Sequence, residues 1–197
     1  YYKDWDCDIV LDRSSWGLQD NLEMLKKYAP NEIKFVVLYR DLEEVIASFI
    51  HWSENNKPNF LDDDTDGTYE SKAAHMMRTD SEIWRDYWSI KGAKDSGFPC
   101  FFIEYKDLVA HTPDVISSLY EFLEIDSYDH DYKKLNLFNI DGLKYNDSIV
   151  GSNLHTIRTD GIQFNKYNLD KYLSKDILNF CRTLNFWKDG SLRKTWC

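Results

Sequence analysis

Short apolar runs alternate with helical stripes along the chain. Residues 34–39 (KFVVLY) and 99–105 (PCFFIEY) are continuous runs of mostly β-branched and aromatic side chains, a pattern typical of strands buried on both faces. Residues 8–11 (DIVL) form a shorter run and predict a further buried strand. Apolar positions at helical spacing predict helices over residues 16–30, 41–52, 69–94, 112–123 and 169–184.

The helix that follows the run at 34–39 has a clear start signal. Asp41 stands at the expected N-cap, and Glu44 follows three residues later, the spacing of a capping box. The apolar side chains of this helix form one stripe, so we expect that stripe to face the core.

Residues 53–69 are polar and acidic and predict a loop. Within it, residues 62–67 (DDDTDG) match the opening of an EF-hand calcium loop. Ala73 stands at the twelfth position, where that loop requires a bidentate glutamate. We therefore expect a solvated acidic loop rather than a calcium site, and we predict no metal site elsewhere.

Alternation of strands and helices predicts parallel βαβ units and a three-layer α/β sheet. We find no internal repeat or linker, and we predict one domain over residues 1–197. Ligands of such sheets bind beyond the carboxyl ends of the strands. Three groups follow predicted strands: residues 12–15 (DRSS), Arg40 and Tyr105.

The charge and the cysteines narrow the functional classes. The net charge of −10 argues against general binding of nucleic acid or an anionic membrane, but it leaves room for a local pocket for one small anion. Four scattered cysteines form no CxxC pair, so we expect neither a zinc site nor a dense disulfide framework. This favours a reducing compartment, and we predict a cytoplasmic location. No apolar run is long enough for a membrane span.

Arg40 and Ser48 lie eight residues apart across a predicted strand–helix joint. A guanidinium fork matches the geometry of phosphate, and a serine hydroxyl adds a neutral donor. This spacing permits a phosphate site. The alternative is that Arg40 is only a salt-bridge partner of Asp41 or Glu44.

These residues resemble the sulfotransferase superfamily. Its members use an arginine, and a serine eight residues later in the following helix, to bind the 3′-phosphate of 3′-phosphoadenosine 5′-phosphosulfate (PAPS), as KFVVLYRDLEEVIASF (residues 34–49) would. Three more segments resemble the family in the expected order: LDRSSWGLQDNLEMLKKYAPNEIKF, CFFIEYKDLVAHTPDVISSLYEFLEI and SNLHTIRTDGIQFNKYNLDKYLS. The first of them resembles protein-tyrosine sulfotransferases in particular. The resemblance covers most of residues 8–185 and implies a P-loop-NTPase-like fold with a mostly parallel central sheet.

The resemblance implies roles for individual residues. Arg13 would lie near the transferring sulfonate, and Asp12 is the nearest candidate for the general base. The implied cofactor contacts are Arg40 and Ser48 to the 3′-phosphate, Tyr105 to the adenine or phosphate side, Ser14 beside Arg13, and Ser152, Arg158 and Lys171 in a late closing segment. The family's phosphate loop would fall upstream of Asp8, so we expect this chain to lack that segment.

The predicted function is sulfonate transfer from PAPS to a hydroxyl or amine acceptor. One alternative is a P-loop-type nucleotide kinase relative, although a kinase needs a Walker loop and magnesium-binding carboxylates, and the sequence shows neither pattern. The other is a non-catalytic interaction domain that keeps the fold. The sequence leaves open the acceptor (a sugar, a small alcohol, a lipid or a protein tyrosine) and the oligomeric state.

Overall fold

Two parallel strands and the helices packed around them form the body of the protein. The computed structural model describes residues 6, 9–29, 33–134, 139–140, 143–144, 161–190 and 192. The helices are α1 (Gln19–Tyr28), α2 (Leu42–Asn55), α3 (Phe60–Asp63), α4 (Tyr69–Met76), α5 (Glu82–Asp95), α6 (Tyr105–Ala110), α7 (Thr112–Leu123), α8 (Leu169–Tyr172) and α9 (Lys175–Leu184), followed by a 3₁₀ turn (Phe186–Asp189). The strands are β1 (Phe35–Tyr39), β2 (Cys100–Glu104), β3 (Asn139–Ile140) and β4 (Leu143–Lys144).

β1 and β2 pair in parallel, with Tyr39 opposite Glu104 at their carboxyl ends. β3 and β4 form a separate antiparallel pair. The α/β class is therefore confirmed, but within the described ranges the parallel sheet has two strands. The larger, mostly parallel sheet of the prediction is not seen in them.

The prediction of a strand at residues 8–11 is wrong for residues 9–11, which the structure describes. Ile9 and Leu11 lie in no regular element, and they are 60% and 88% exposed. A strand exists only where its backbone groups pair with a neighbour. Over the described residues β1 and β2 pair only with each other.

The expectation that β1 is covered on both faces is also wrong. Phe35, Val37 and Tyr39 are buried, whereas Val36 and Leu38 are exposed. Successive side chains of a strand point to opposite faces. On the face that carries Val36 and Leu38, α7 packs against the aligned residues of β2 and leaves those of β1 open.

α2 is the central helix of the main core. Ile46, Ala47 and Ile50 are completely buried, as the apolar stripe predicts. The helix packs against α4, α8 and α9. α2 therefore connects the strand–helix joint at Arg40 with the C-terminal helices.

The capping box predicted for α2 does not form. The Asp41 carboxylate accepts a hydrogen bond from the indole of Trp187 at 3.0 Å instead of capping the helix. The free N–H of Leu42 donates to the side-chain oxygen of Asn185 at 3.1 Å. The first turn of α2 is thus capped by a residue far away in the sequence, which local spacing could not reveal.

The single helix predicted over 69–94 is divided into α4 and α5. Ser81 accepts a hydrogen bond from the N–H of Trp84 at 3.1 Å and donates to the carbonyl of Met76 at 2.7 Å. This serine caps the start of α5 and closes the end of α4, so the chain bends between them. None of the helices in the described ranges is long and apolar enough to cross a bilayer.

The acidic segment is tied to the core by a buried lysine. It is not wholly a loop, because α2 extends to Asn55 and α3 lies within it. Lys72 is 3% exposed, and its ammonium lies 2.5 Å from Asp62 and 3.0 Å from the hydroxyl of Ser53. Across the described ranges, no group of three or more His, Cys, Asp or Glu side chains could hold a metal ion.

Candidate functional site

Arg40 lies close to two tyrosine rings at the carboxyl edge of the sheet. Tyr39 and Glu104 end β1 and β2 in register, so the residues that follow them, Arg40 and Tyr105, come side by side. The Arg40 guanidinium carbon is 4.4 Å from the ring centre of Tyr105 and 5.6 Å from that of Tyr167. Strand pairing thus brings together two residues that the sequence singled out separately.

The Arg40 side chain is only 16% exposed and has an internal counter-ion. Its Nε donates to a carboxylate oxygen of Glu44, one helical turn later, at 3.0 Å. The salt bridge considered in the sequence analysis therefore exists. This bond uses one of the five N–H donors of a guanidinium. Among the residues that the structure describes, the other donors of Arg40 therefore stay available for an anion, which would compete with Glu44.

Ser48 lies on the same face of α2. Residues at intervals of three and four share one side of a helix, so Glu44, Ser48 and His51 form one column. The Ser48 hydroxyl donates to the carbonyl of Val45 at 2.7 Å. Donation to a phosphate would require this hydroxyl to rotate away from the carbonyl.

A cleft of about 490 Å³ opens next to this column. Tyr167 connects Arg40 with the cleft, because it lines the cleft, its ring centre is 5.6 Å from the Arg40 guanidinium carbon, and it lies 5.3 Å from the His51 ring. The lining residues combine rings, amides and ammonium groups: His51, Phe164, Asn165, Lys166, Tyr167, Asn168, Lys171 and Tyr172. The cleft therefore offers flat apolar surfaces together with positive charge.

Glu54 holds the far wall of the cleft in place. Its carboxylate accepts hydrogen bonds from Tyr69, from Tyr172 at 3.0 Å, and from Lys171 at 3.0 and 3.1 Å. The Tyr69 hydrogen bond, with smaller contributions from Lys171 and Tyr172, lowers the pKa of Glu54 to about 2. Hydrogen bonds to Tyr172 and Glu54 raise the pKa of Lys171. The carboxylate and the ammonium are therefore both charged near neutral pH.

The other predicted site residues lie elsewhere. Asp12, Arg13 and Ser14 are exposed on the segment before α1. The next residue, Ser15, donates to a carboxylate oxygen of Asp86 on α5 at 2.9 Å. Ser152 and Arg158 lie outside the described residues.

The segment that carries Arg13 is packed tightly on α5 through two glycines. A Cβ at Gly17 would lie 1.9 Å from the carbonyl oxygen of Ser89, and one at Gly92 would lie 1.9 Å from that of Gly17. The Gly17 N–H also donates to the Ser89 hydroxyl at 3.1 Å. Only glycine permits this approach, which fixes the segment just after the predicted catalytic residues.

Most of the cleft residues were not predicted from the sequence. His51 follows Ser48 by three residues on the same helix face, and Glu54 lies one turn further, so helix geometry alone would have indicated both. Tyr167 and Tyr172 fall within the segment that resembles the family's closing loop, but only the fold shows which of its side chains reach α2. Of that segment's three predicted contacts, Lys171 is the one in the described ranges, and it lines the cleft.

Comparison with known proteins supports the resemblance. A model of the sulfotransferase family matches residues 9–130, which is more than half of the chain and includes both strands and α2. No curated protein and no solved structure gives a significant match. The matched range contains Arg40, Ser48 and Tyr105. The chain belongs to the sulfotransferase family.

Proposed function

We propose that this protein transfers a sulfonate group from PAPS to a hydroxyl or amine acceptor. The observation that carries the proposal is the position of Arg40 in a member of the sulfotransferase family: its guanidinium lies over the rings of Tyr105 and of the cleft residue Tyr167. A charged, partly buried guanidinium that bonds Glu44 through Nε alone within the described residues suits a phosphate group.

The residues at this edge suit the 3′-phosphoadenosine part of PAPS. Arg40 and Ser48 would hold the 3′-phosphate, and the rings of Tyr105 and Tyr167 provide flat surfaces for a purine. The cleft volume of about 490 Å³ falls within the range of small-molecule sites. Lys171 would add positive charge, and Ser14, Ser152 and Arg158 remain proposed contacts.

The bound donor would supply a sulfonate attached to a phosphate leaving group. Arg13 would stabilise the negative charge that develops during transfer. Asp12 remains the base that the sequence suggests. The three-layer P-loop-like sheet that the family implies is part of the same proposal, since further strands would complete the sheet begun by β1 and β2.

The acceptor is proposed only by class. With a net charge of −10, the protein disfavours strongly acidic acceptors unless a local basic patch offsets the charge. A neutral sugar, a lipid or a small alcohol fits this charge at least as well as a tyrosine flanked by acidic residues. The cytoplasmic location stays a prediction that rests on the scattered cysteines.

Calorimetric titration with 3′-phosphoadenosine 5′-phosphate (PAP), the desulfonated product, tests the proposal on the full-length natural protein. We expect micromolar binding by the wild type. Arg40→Ala should weaken it by about 2–3 kcal/mol, roughly 30- to 150-fold, the value of hydrogen bonds to a charged group. Arg78→Ala is the matched control, because Arg78 is exposed and pairs with Asp80. Absence of PAP binding by the wild type would leave a non-catalytic domain as the better account.

A further inference from the structure

Trp88 on α5 presents a large aromatic surface to solvent. The residue is 45% exposed. Its ring packs edge to face against Trp84, with ring centres 6.1 Å apart, and against Tyr87, with ring centres 5.5 Å apart. Tyr87 is buried and packs in turn on Trp187. Because these rings hold the indole in place, a ligand that stacks on it does not have to order it first.

The segment before α1 passes beside Trp88. The Ser15 hydroxyl donates to a carboxylate oxygen of Asp86, two residues before Trp88, at 2.9 Å. Further along the segment, Gly17 crosses α5 at Gly92, four residues after Trp88. Residues four apart share one face of a helix. The exposed indole therefore lies between two points at which this segment is attached to α5.

Arg13 belongs to the same segment. It precedes Ser15 by two residues, so its Cα lies within about 7 Å of the Cα of Ser15. The hydrogen bond from Ser15 to α5 thus holds Arg13 near Trp88. Under the proposed function Arg13 stabilises the transferring sulfonate, which places this surface on the acceptor side of the reaction.

Charged side chains form a rim around the indole. The Lys91 ammonium is 4.8 Å from the centre of the Trp88 ring. Arg85, three residues before Trp88, is half-exposed and pairs with Glu82 at 3.5 Å and with Asp86 at 3.8 Å. Both carboxylates are themselves exposed. The rim therefore offers N–H donors and carboxylate acceptors beside a flat apolar surface.

We propose that Trp88 is the platform on which a sugar in its pyranose form docks as the sulfonate acceptor; this rests on the proposed function. A pyranose has a face of C–H groups, which suits the negative face of an indole, and an edge of hydroxyls, which suits the charged rim. The flexible Lys91 side chain can turn its ammonium towards a hydroxyl. A small phenol would instead need an enclosed apolar pocket.

The transfer balances with the groups already named. The O–H bond of one sugar hydroxyl breaks, and its proton passes to water. The hydroxyl oxygen forms a bond to sulfur, while the bond between sulfur and the 5′-phosphate oxygen breaks. The electron pair of that bond stays on PAP.

Substitutions of Trp88 test the platform in the full-length natural protein. Trp88→Ala removes the ring, whereas Trp88→Phe keeps an aromatic face. Phe180→Ala is the matched control, because Phe180 is a 52% exposed aromatic residue on α9. Radiolabelled PAPS is offered with lactose, methyl β-galactoside or chitobiose, and with p-nitrophenol as an acceptor that is not a sugar. PAP affinity is measured by calorimetry in parallel.

We expect Trp88→Ala to raise the KM for the reacting sugar roughly 10- to 50-fold, with a much smaller change in kcat. Trp88→Phe should stay within about fivefold of the wild type, and the Phe180 control should match it. PAP affinity should stay within about twofold in all three variants. An unchanged sugar KM in Trp88→Ala would overturn the proposal. Transfer by the wild type to p-nitrophenol and to none of the sugars would overturn it as well.

NMR of the indole N–H groups decides the matter even if none of these acceptors reacts. The Trp88 resonance is the one that is lost in Trp88→Phe, and titration of the wild type with the same sugars should shift it. If no sugar shifted it, the platform would be refuted while PAP binding still supported a sulfotransferase. Absence of PAP binding by the wild type would instead remove the proposed function itself, and with it the acceptor role of Trp88.

Discussion

Asn185 is the distant residue on which the start of α2 depends, and its replacement by alanine gives a quantitative test. It is 4% exposed. Its side-chain oxygen accepts from the N–H of Leu42 at 3.1 Å, and its amide nitrogen donates to the Glu43 carboxylate at 2.7 Å. α2 carries Ser48 and the cleft residue His51, so loss of this cap would loosen the helix that positions the site.

The expected cost of Asn185→Ala is the sum of two losses. Removal of a side-chain cap from a helix costs about 1 kcal/mol. Glu43 is 3% exposed, and loss of a hydrogen bond to a buried charged group costs about 1.5–3 kcal/mol. Asn185→Ala should therefore lower the free energy of unfolding by about 2.5–4 kcal/mol. Asn185→Asp should cost at least as much at pH 7, because it places a second carboxylate against Glu43.

Urea denaturation followed by circular dichroism measures this loss. Asn55→Ala is the matched control, since Asn55 is exposed and donates to the His51 carbonyl at 2.9 Å on the same helix. The control should change the free energy of unfolding by about 0.5 kcal/mol or less. If Asn185→Ala cost no more than the control, the proposed capping of α2 from the C-terminal turn would be wrong.

Three further predictions concern the site. Glu54 has a folded pKa of about 2, against an ordinary value near 4.5. Its stabilising effect is therefore full above pH 4.5 and is lost as the pH falls towards 2. The difference in free energy of unfolding between the wild type and Glu54→Gln, measured with urea, should shrink between these two pH values. Glu44→Gln frees Arg40 from its counter-ion, so calorimetry should show PAP binding two- to fivefold tighter, and weaker binding would contradict the competition. Tyr105→Leu should weaken PAP binding roughly 5- to 30-fold, whereas Tyr105→Phe should keep it, because the face of the ring contacts Arg40. Equal PAP affinities of the two variants would exclude stacking of the Tyr105 ring on Arg40 as a contribution to binding.

The spacing of apolar residues predicted the strands and helices whose formation depends on residues close together in the sequence. The apolar runs at β1 and β2 and the stripe of α2 are confirmed, because strand and helix formation there follow from neighbouring side chains. The resemblance around Arg40 is also confirmed at the level of the family. The register of β1 and β2 then explains why Arg40 and Tyr105, 65 positions apart in the sequence, are in contact.

Distant contacts determine what the sequence could not predict. Asn185 displaced Asp41 from its expected capping role, since Asp41 pairs with Trp187. Val36 reads as a buried position, but whether a strand face is covered depends on which helix packs there. Tyr167 belongs to a segment with no regular structure before α8, so its contacts with Arg40 and with the cleft follow only from tertiary packing.

The most direct test of the central claim compares PAP with adenosine 5′-phosphate, which lacks the 3′-phosphate, in the wild type and in Arg40→Ala. If Arg40 binds the 3′-phosphate, the wild type should prefer PAP by about 2–3 kcal/mol, and the variant should lose most of that preference while its affinity for adenosine 5′-phosphate stays within a few-fold. A preference for PAP that survived in Arg40→Ala would show that the 3′-phosphate binds elsewhere and would contradict the account.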